Sequence, residues 1–133
     1  MISRIASVER ILEKLLLEAI DDNPYIKAPE TMLAEIYILE EKMDSSLYYS
    51  KDAFYTLPNN NSHRHTYFKN LKFIKDTIEL DHAFDILKEF NNPNHWYEYF
   101  STRYEIVGKN NQKILKEIDR FKTEYPAEEP AKI

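Results

Sequence analysis

Apolar residues along the chain recur at spacings of three and four rather than two, the period of helices and not of strands. Ile5, Val8, Ile11, Leu12, Leu15, Leu16 and Ala19 form the first such stripe. They predict a helix over about residues 3–20, with Leu17 and Ile20 off its main apolar face. Pro29, a favoured first-turn residue, opens a second helix that carries Leu33, Ile36, Tyr37 and Leu39 as far as Met43. Asp44 or Ser45 caps a third, the aromatic stretch SLYYSKDAFYTLP, in which Tyr48, Tyr49, Phe54 and Tyr55 surround Ala53. Ser62 caps a fourth that runs to about Asp76, and residues 77–81 break the pattern. A fifth helix then holds Ala83, Phe84, Leu87 and Phe90. The sixth starts near Asn94, carries Trp96, Tyr97, Phe100 and Tyr104, and ends at Gly108. Asn110 or Asn111 starts a seventh with Ile114, Leu115, Ile118 and Phe121. The last stretch, residues 127–133, has no periodic apolar face and reads as a frayed tail behind one helical domain over residues 1–126.

The stops between these helices repeat. Pro24, Pro58, Pro93 and Pro126 lie 34, 35 and 33 residues apart, each after a helical run that a proline cannot continue. The unit between them is a pair of helices, and it resembles the tetratricopeptide repeat. Leu33, Ala34 and Tyr37 fall at that family's leucine, small and tyrosine positions; Ser46, Ala53 and Pro58 fall at its two small positions and closing proline. Tyr97, Phe100, Ser101, Tyr104 and Gly108 match the first helix and turn of a later unit, while Ala19 and Pro24 match a lone second helix. The middle unit departs from the pattern: Asn70 and Leu71 stand where leucine and a small residue are usual, and Phe90 occupies the later small position. Ser46 and Ala83 are 37 residues apart, which reads as about three residues inserted near NNNSHRH. The resemblance implies an all-α, short right-handed α-solenoid of about seven antiparallel helices, three tetratricopeptide-like repeats plus a leading helix.

Composition narrows the chemistry. One glycine among 133 residues cannot build a glycine-rich phosphate loop. No cysteine means no disulfide and no thiolate metal site. No apolar run approaches the ~20 residues that span a bilayer, and the acids Glu9, Glu13 and Glu18 among the first leucines do not suit a signal peptide; the expectation is a cytoplasmic protein. Two histidines at His63 and His65 do not share a helix face, so the HRH run predicts no metal centre. No nucleophile elbow or triad spacing appears, and neither an enzyme nor a cofactor is expected. Nucleic acid is a poor fit to a chain of net charge −5 with about three repeats.

Charge is nevertheless uneven. Ten acids face four bases between Glu9 and Asp44, whereas residues 59–75 hold Arg64, Lys69, Lys72 and Lys75 and no acid. In tetratricopeptide arrays the first helix of each repeat lines a concave, peptide-binding face. Carried over, that face comprises Thr31, Glu35 and Ile38, then His65, Phe68, Lys72 and Lys75, then His95, Glu98, Thr102 and Glu105. The family's carboxylate clamp is absent, since Thr31 and Glu35 occupy two of its positions. The resemblance implies a scaffold or adaptor that holds a protein or peptide segment, with Lys72 and Lys75 suited to an acidic one. The unpaired leading helix, with Leu17 and Ile20 off its stripe, points to self-association through the N-terminal helix. A second resemblance runs from Ala53 to Phe90, where "AFYTLPNNNSHRH" is similar to the repeat-bearing soluble tails of bacterial O-antigen polymerase and ligase proteins. It implies an accessory domain in such an envelope polysaccharide system.

Overall fold

The computed structural model describes residues 4–90, 92–108 and 112–124, and every regular element among them is helical. In chain order these are α1 (Arg4–Asp22), α2 (Ala28–Leu39), α3 (Met43–Thr56), α4 (Asn61–Ile74), α5 (Thr77–Leu87), a 3-10 turn (Lys88–Phe90), α6 (Pro93–Val107) and α7 (Gln112–Glu124). The chain divides into two compact units, Met1–Asn70 and Leu71–Ile133, the division falling inside α4. The starts expected at Asn110 or Asn111 and the tail over 127–133 lie outside the described residues.

Side chains and left-handed backbone set the helix ends. Glu41 has φ 60° and Lys75 φ 57°, both in the region that glycine enters most readily. Around the first, the Glu41 amide donates to the Ile38 carbonyl and the Lys42 amide to that of Tyr37. Around the second, Lys75 donates to Lys72 and Asp76 to Leu71. This doubled bonding closes α2 at Leu39, four residues short of the expected Met43, and closes α4 at Ile74 rather than Asp76. Gly108, φ 92°, ends α6.

The starts differ from the sequence reading for the same local reasons. Asn60, not Ser62, caps α4: its Oδ1 accepts the His63 amide at 3.0 Å. Residues 77–81 are not a break. Asp76 caps α5 by accepting the Glu79 amide at 3.0 Å, so the helix begins at once. Asn92 caps α6 through the Asn94 amide at 3.0 Å, and Pro93 occupies its first turn. Phe90, expected on the apolar face of α5, sits in the 3-10 turn with much of its ring exposed.

Among the described residues, positive φ occurs at Glu41, Lys75 and Gly108, 34 and 33 positions apart. Ser46 and Leu80 are each the fourth residue of their helix, and each is fully buried.

In unit 1, α2 packs on α1 and α3. Leu33, Ala34 and Ala53 are fully buried, and Ser46 Oγ donates to the Ala34 carbonyl at 2.7 Å, a contact that only a small side chain permits. Phe54 stacks on Tyr67 at 5.0 Å and meets Phe68 at 6.0 Å. Tyr48, expected to pack around Ala53, is exposed and touches Tyr49 edge-on. Tyr37 donates to Glu13 at 2.9 Å, and Leu16 and Ile20 of α1 are half-buried. That orientation rotates α1 away from the expected one. Of its expected stripe, Val8, Ile11, Leu12 and Leu15 are exposed, while Leu16 and Ala19 are half-buried. In unit 2, α5 packs on α6 and α6 on α7. Phe84 stacks on Tyr99 at 3.9 Å and 10°, with Phe100 beside both.

Candidate functional site

Taken residue by residue, the expected binding face splits into buried and available positions. In unit 1, Thr31 and Phe68 are buried, Ile38 is half-buried, and Glu35 and His65 are exposed. In unit 2, His95 and Thr102 are buried, Glu98 is half-buried, and Lys72, Lys75 and Glu105 are exposed. Thr31, Phe68, His95 and Thr102 are thus packing residues in this chain, not side chains open to a ligand. The resemblance placed them on the face; how close neighbouring helices come decides which are covered.

Polar partners explain two of the buried ones. Thr31 Oγ1 and His63 Nδ1 share a hydrogen bond of 2.6 Å. Burial holds the His63 imidazole below its usual pKa, so it is the neutral ring that meets the hydroxyl. A hydroxyl beside an imidazole is half of a nucleophile–base pair, but both groups are buried, and no substrate atom reaches them without opening unit 1. Asn92 Nδ2 lies 3.3 Å from His95 Nε2, tying that ring to the cap of its own helix.

His63, Thr66 and Asn70 recur along α4 at spacings of three and four, all three buried. This is a polar stripe inside unit 1. Thr66 donates to Glu35 at 3.4 Å. Asn70 Nδ2 lies 3.0 Å from both Ser46 Oγ and Ser50 Oγ and 3.2 Å from the Thr66 carbonyl. Asn70, read from sequence only as a departure from a leucine position, is the hub of a hydrogen-bond network; the three-and-four spacing of polar residues was its legible signal.

Two further clusters carry charge. In unit 1, Lys27 Nζ lies 2.8 Å from Asp52 and 3.7 Å from the buried Glu30. Desolvation, then the Asp52 carboxylate beside it, raise the Glu30 carboxyl to about 7, while hydrogen bonds from Glu30 and Lys27 hold Asp52 below its usual value. Below about pH 7, Glu30 is the carboxyl of the pair that holds a proton. In unit 2, Tyr99 and Arg103 both donate to Asp81, and Arg103 also donates to the Tyr99 hydroxyl at 2.8 Å. Burial, then Asp81, push the Tyr99 phenol above its ordinary range, so it remains a donor at any working pH. Nothing in the sequence pairs Asp81 with Tyr99 across 18 residues.

The cationic pair of the binding face is not symmetrical. Lys72 Nζ lies 2.8 Å from Glu105, both side chains about half exposed, whereas Lys75 occupies the left-handed turn after α4. Among the described residues no three His, Asp or Glu side chains gather to hold a metal, and no helix is long and apolar enough to cross a membrane. Against known proteins, the chain matches no family model, no curated protein and no solved structure.

Proposed function

We propose that the protein is a non-catalytic scaffold, a short tetratricopeptide-like solenoid of antiparallel helices that holds a protein segment on its concave face or stacks end-on with a partner. The observation that carries this reading is the recurrence of helix, left-handed turn and helix, with the turn residues Glu41, Lys75 and Gly108 spaced 34 and 33 apart. Repeats of that kind bury their faces against each other and leave one side of each first helix for a partner. Glu35, Ile38, His65, Lys72, Lys75, Glu98 and Glu105 are the face residues with surface to offer. Lys75 and the Lys72–Glu105 pair orient an acidic segment: a ligand carboxylate takes Lys72 from Glu105, or binds Lys75 directly.

Capture from host lysate with the wild-type chain, Lys75→Glu and Lys72→Glu/Lys75→Glu tests the reading, each preparation checked for unchanged helicity. A partner held by wild type and weakened at least tenfold by the double variant supports the cationic face. A partner kept equally by all three moves binding to the ends. No partner at all sinks the scaffold reading.

A further inference from the structure

Helix α2 starts without a side-chain cap. Asn60, Asp76 and Asn92 cap α4, α5 and α6, whereas the Lys27 side chain makes no capping hydrogen bond. The turn before it is open to solvent, with Tyr25 87% and Ile26 54% exposed. Three side chains tie this first turn to its neighbours. Lys27 Nζ lies 2.8 Å from Asp52 of α3 and 3.7 Å from Glu30, and Thr31 shares its 2.6 Å hydrogen bond with His63 of α4. Two carboxyls and one ammonium therefore meet at the α2–α3 contact. Glu30 is 6% exposed, and among the described residues no hydrogen-bond partner reaches its buried Oε2. Ionised in place, Glu30 sets a second negative charge beside Asp52 with one oxygen unsolvated, and a single ammonium faces both. One proton on the pair removes that excess. Asp52, with half its side chain exposed and Lys27 against it, is the member that keeps its charge.

The other groups near this site do not take over that role. The Tyr49 phenol of α3 is held above its usual pKa by burial, and Glu13 of α1 accepts from Tyr37. The His63 ring of α4 is held below its usual value by burial, with no charged group acting on it. We infer that the first turn of α2 is a one-proton latch: protonated, the Glu30–Asp52 pair keeps the turn docked on α3 and α4, and deprotonated, Glu30 turns out to water and draws Thr31 off His63. The docked turn holds the proton up to about pH 7, whereas an unfolded glutamate releases it near 4.5. The contribution to closure is thus complete below 4.5 and lost as pH rises through 7. His63 acts with the opposite sign, its contribution being lost as pH falls below 6.5. From pH 6.5 to 8.5, Glu30 is therefore the member of this cluster that changes charge. The latch is a property of unit 1 and stands whether or not the scaffold reading does.

Hydrogen exchange on the full 133-residue chain at pH 6.5 and 8.5 tests it, read as the opening equilibrium of each amide after correction for the intrinsic pH dependence of exchange. The Thr31 amide, bonded to the Lys27 carbonyl at 3.2 Å, reports the latch, and the amides of Ala53 and Phe54 in α3 report the rest of unit 1. Opening at Thr31 is expected to grow about fourfold over this range, with Ala53 and Phe54 unchanged. Glu30→Gln, neutral at both pH values, is expected to open equally at both. Asp52→Asn, at an exposed position, leaves one carboxyl for one ammonium and is expected to cut the rise to under about twofold. That variant carries the test if circular dichroism finds Glu30→Gln unfolded. A Thr31 opening that is the same at both pH values overturns the inference. So does a rise shared by Ala53 and Phe54, since unit 1 then loosens as a whole and not at this turn, and so does a rise undiminished in Asp52→Asn.

Discussion

Glu41 and Lys75 hold left-handed backbone that costs a side chain with a Cβ roughly 1 kcal/mol. Glu41→Gly is expected to raise the urea midpoint by the equivalent of about 0.5 kcal/mol, the rest being lost to the added freedom of glycine in the unfolded chain. An unchanged or lower midpoint would mean that the turn is not left-handed. Titration offers a second test at this scale. Glu30 has its folded pKa raised from 4.5 to about 7, so between those values the folded state binds more protons than the unfolded one. Its contribution is complete below 4.5 and lost as pH rises through 7. His63 has the opposite sign: its pKa is lowered by burial, so its contribution is complete above 6.5 and lost as pH falls. Glu30→Gln is expected to remove the first slope, leaving stability that rises from pH 5 to 7, and to exceed the parent at pH 8 by about 1–3 kcal/mol. Denaturant melts at four pH values read both effects; a Glu30→Gln chain that parallels the parent at every pH would refute the buried-proton assignment.

Helices in this chain are defined by their stripes and finished by their caps. The stripes were legible: all seven expected helices correspond to described helices, because the three-and-four spacing of Leu33, Ile36 and Tyr37, or of Trp96 and Phe100, has only one period that buries it. The ends were less so, since Asn60 and Asp76 cap through hydrogen bonds that compete with equally plausible neighbours such as Ser62. Residue size inside the pairs carries the strongest expectation. Ala53 is fully buried, so Ala53→Leu is expected to cost about 1–3 kcal/mol by overpacking. Asn70→Leu removes the donor shared by Ser46, Ser50 and the Thr66 carbonyl and is expected to cost about 1–3 kcal/mol in thermal or urea unfolding. A neutral Asn70→Leu would show that the polar stripe of α4 is incidental.

For the whole molecule, the available chemistry is that of surfaces. Lys72 and Glu105 form an exposed pair, which by itself contributes under ~1 kcal/mol, so Lys72→Ala is expected to leave the urea midpoint nearly unchanged. Any loss of partner capture in that variant then reports binding and not unfolding. The exposed stripe of α1 and the cleft between α6 and α7 belong to the same scale, because no described residue of the same unit covers either.

The sequence by itself determined the helical class, the seven helices among the described residues and the proline stops between them. Periodicity and proline stops are local properties, and local backbone geometry obeys them. Only the tertiary structure decided which side of each helix is covered. It turned Glu13, Leu16 and Ile20 of α1 toward the interior and left Val8, Ile11, Leu12 and Leu15 outside, and it buried Thr31, Phe68, His95 and Thr102. It also joined Asp81 to Tyr99 and Arg103, and Glu30 to Asp52. Those outcomes depend on how closely two helices approach and at what rotation, which no spacing within a single helix encodes.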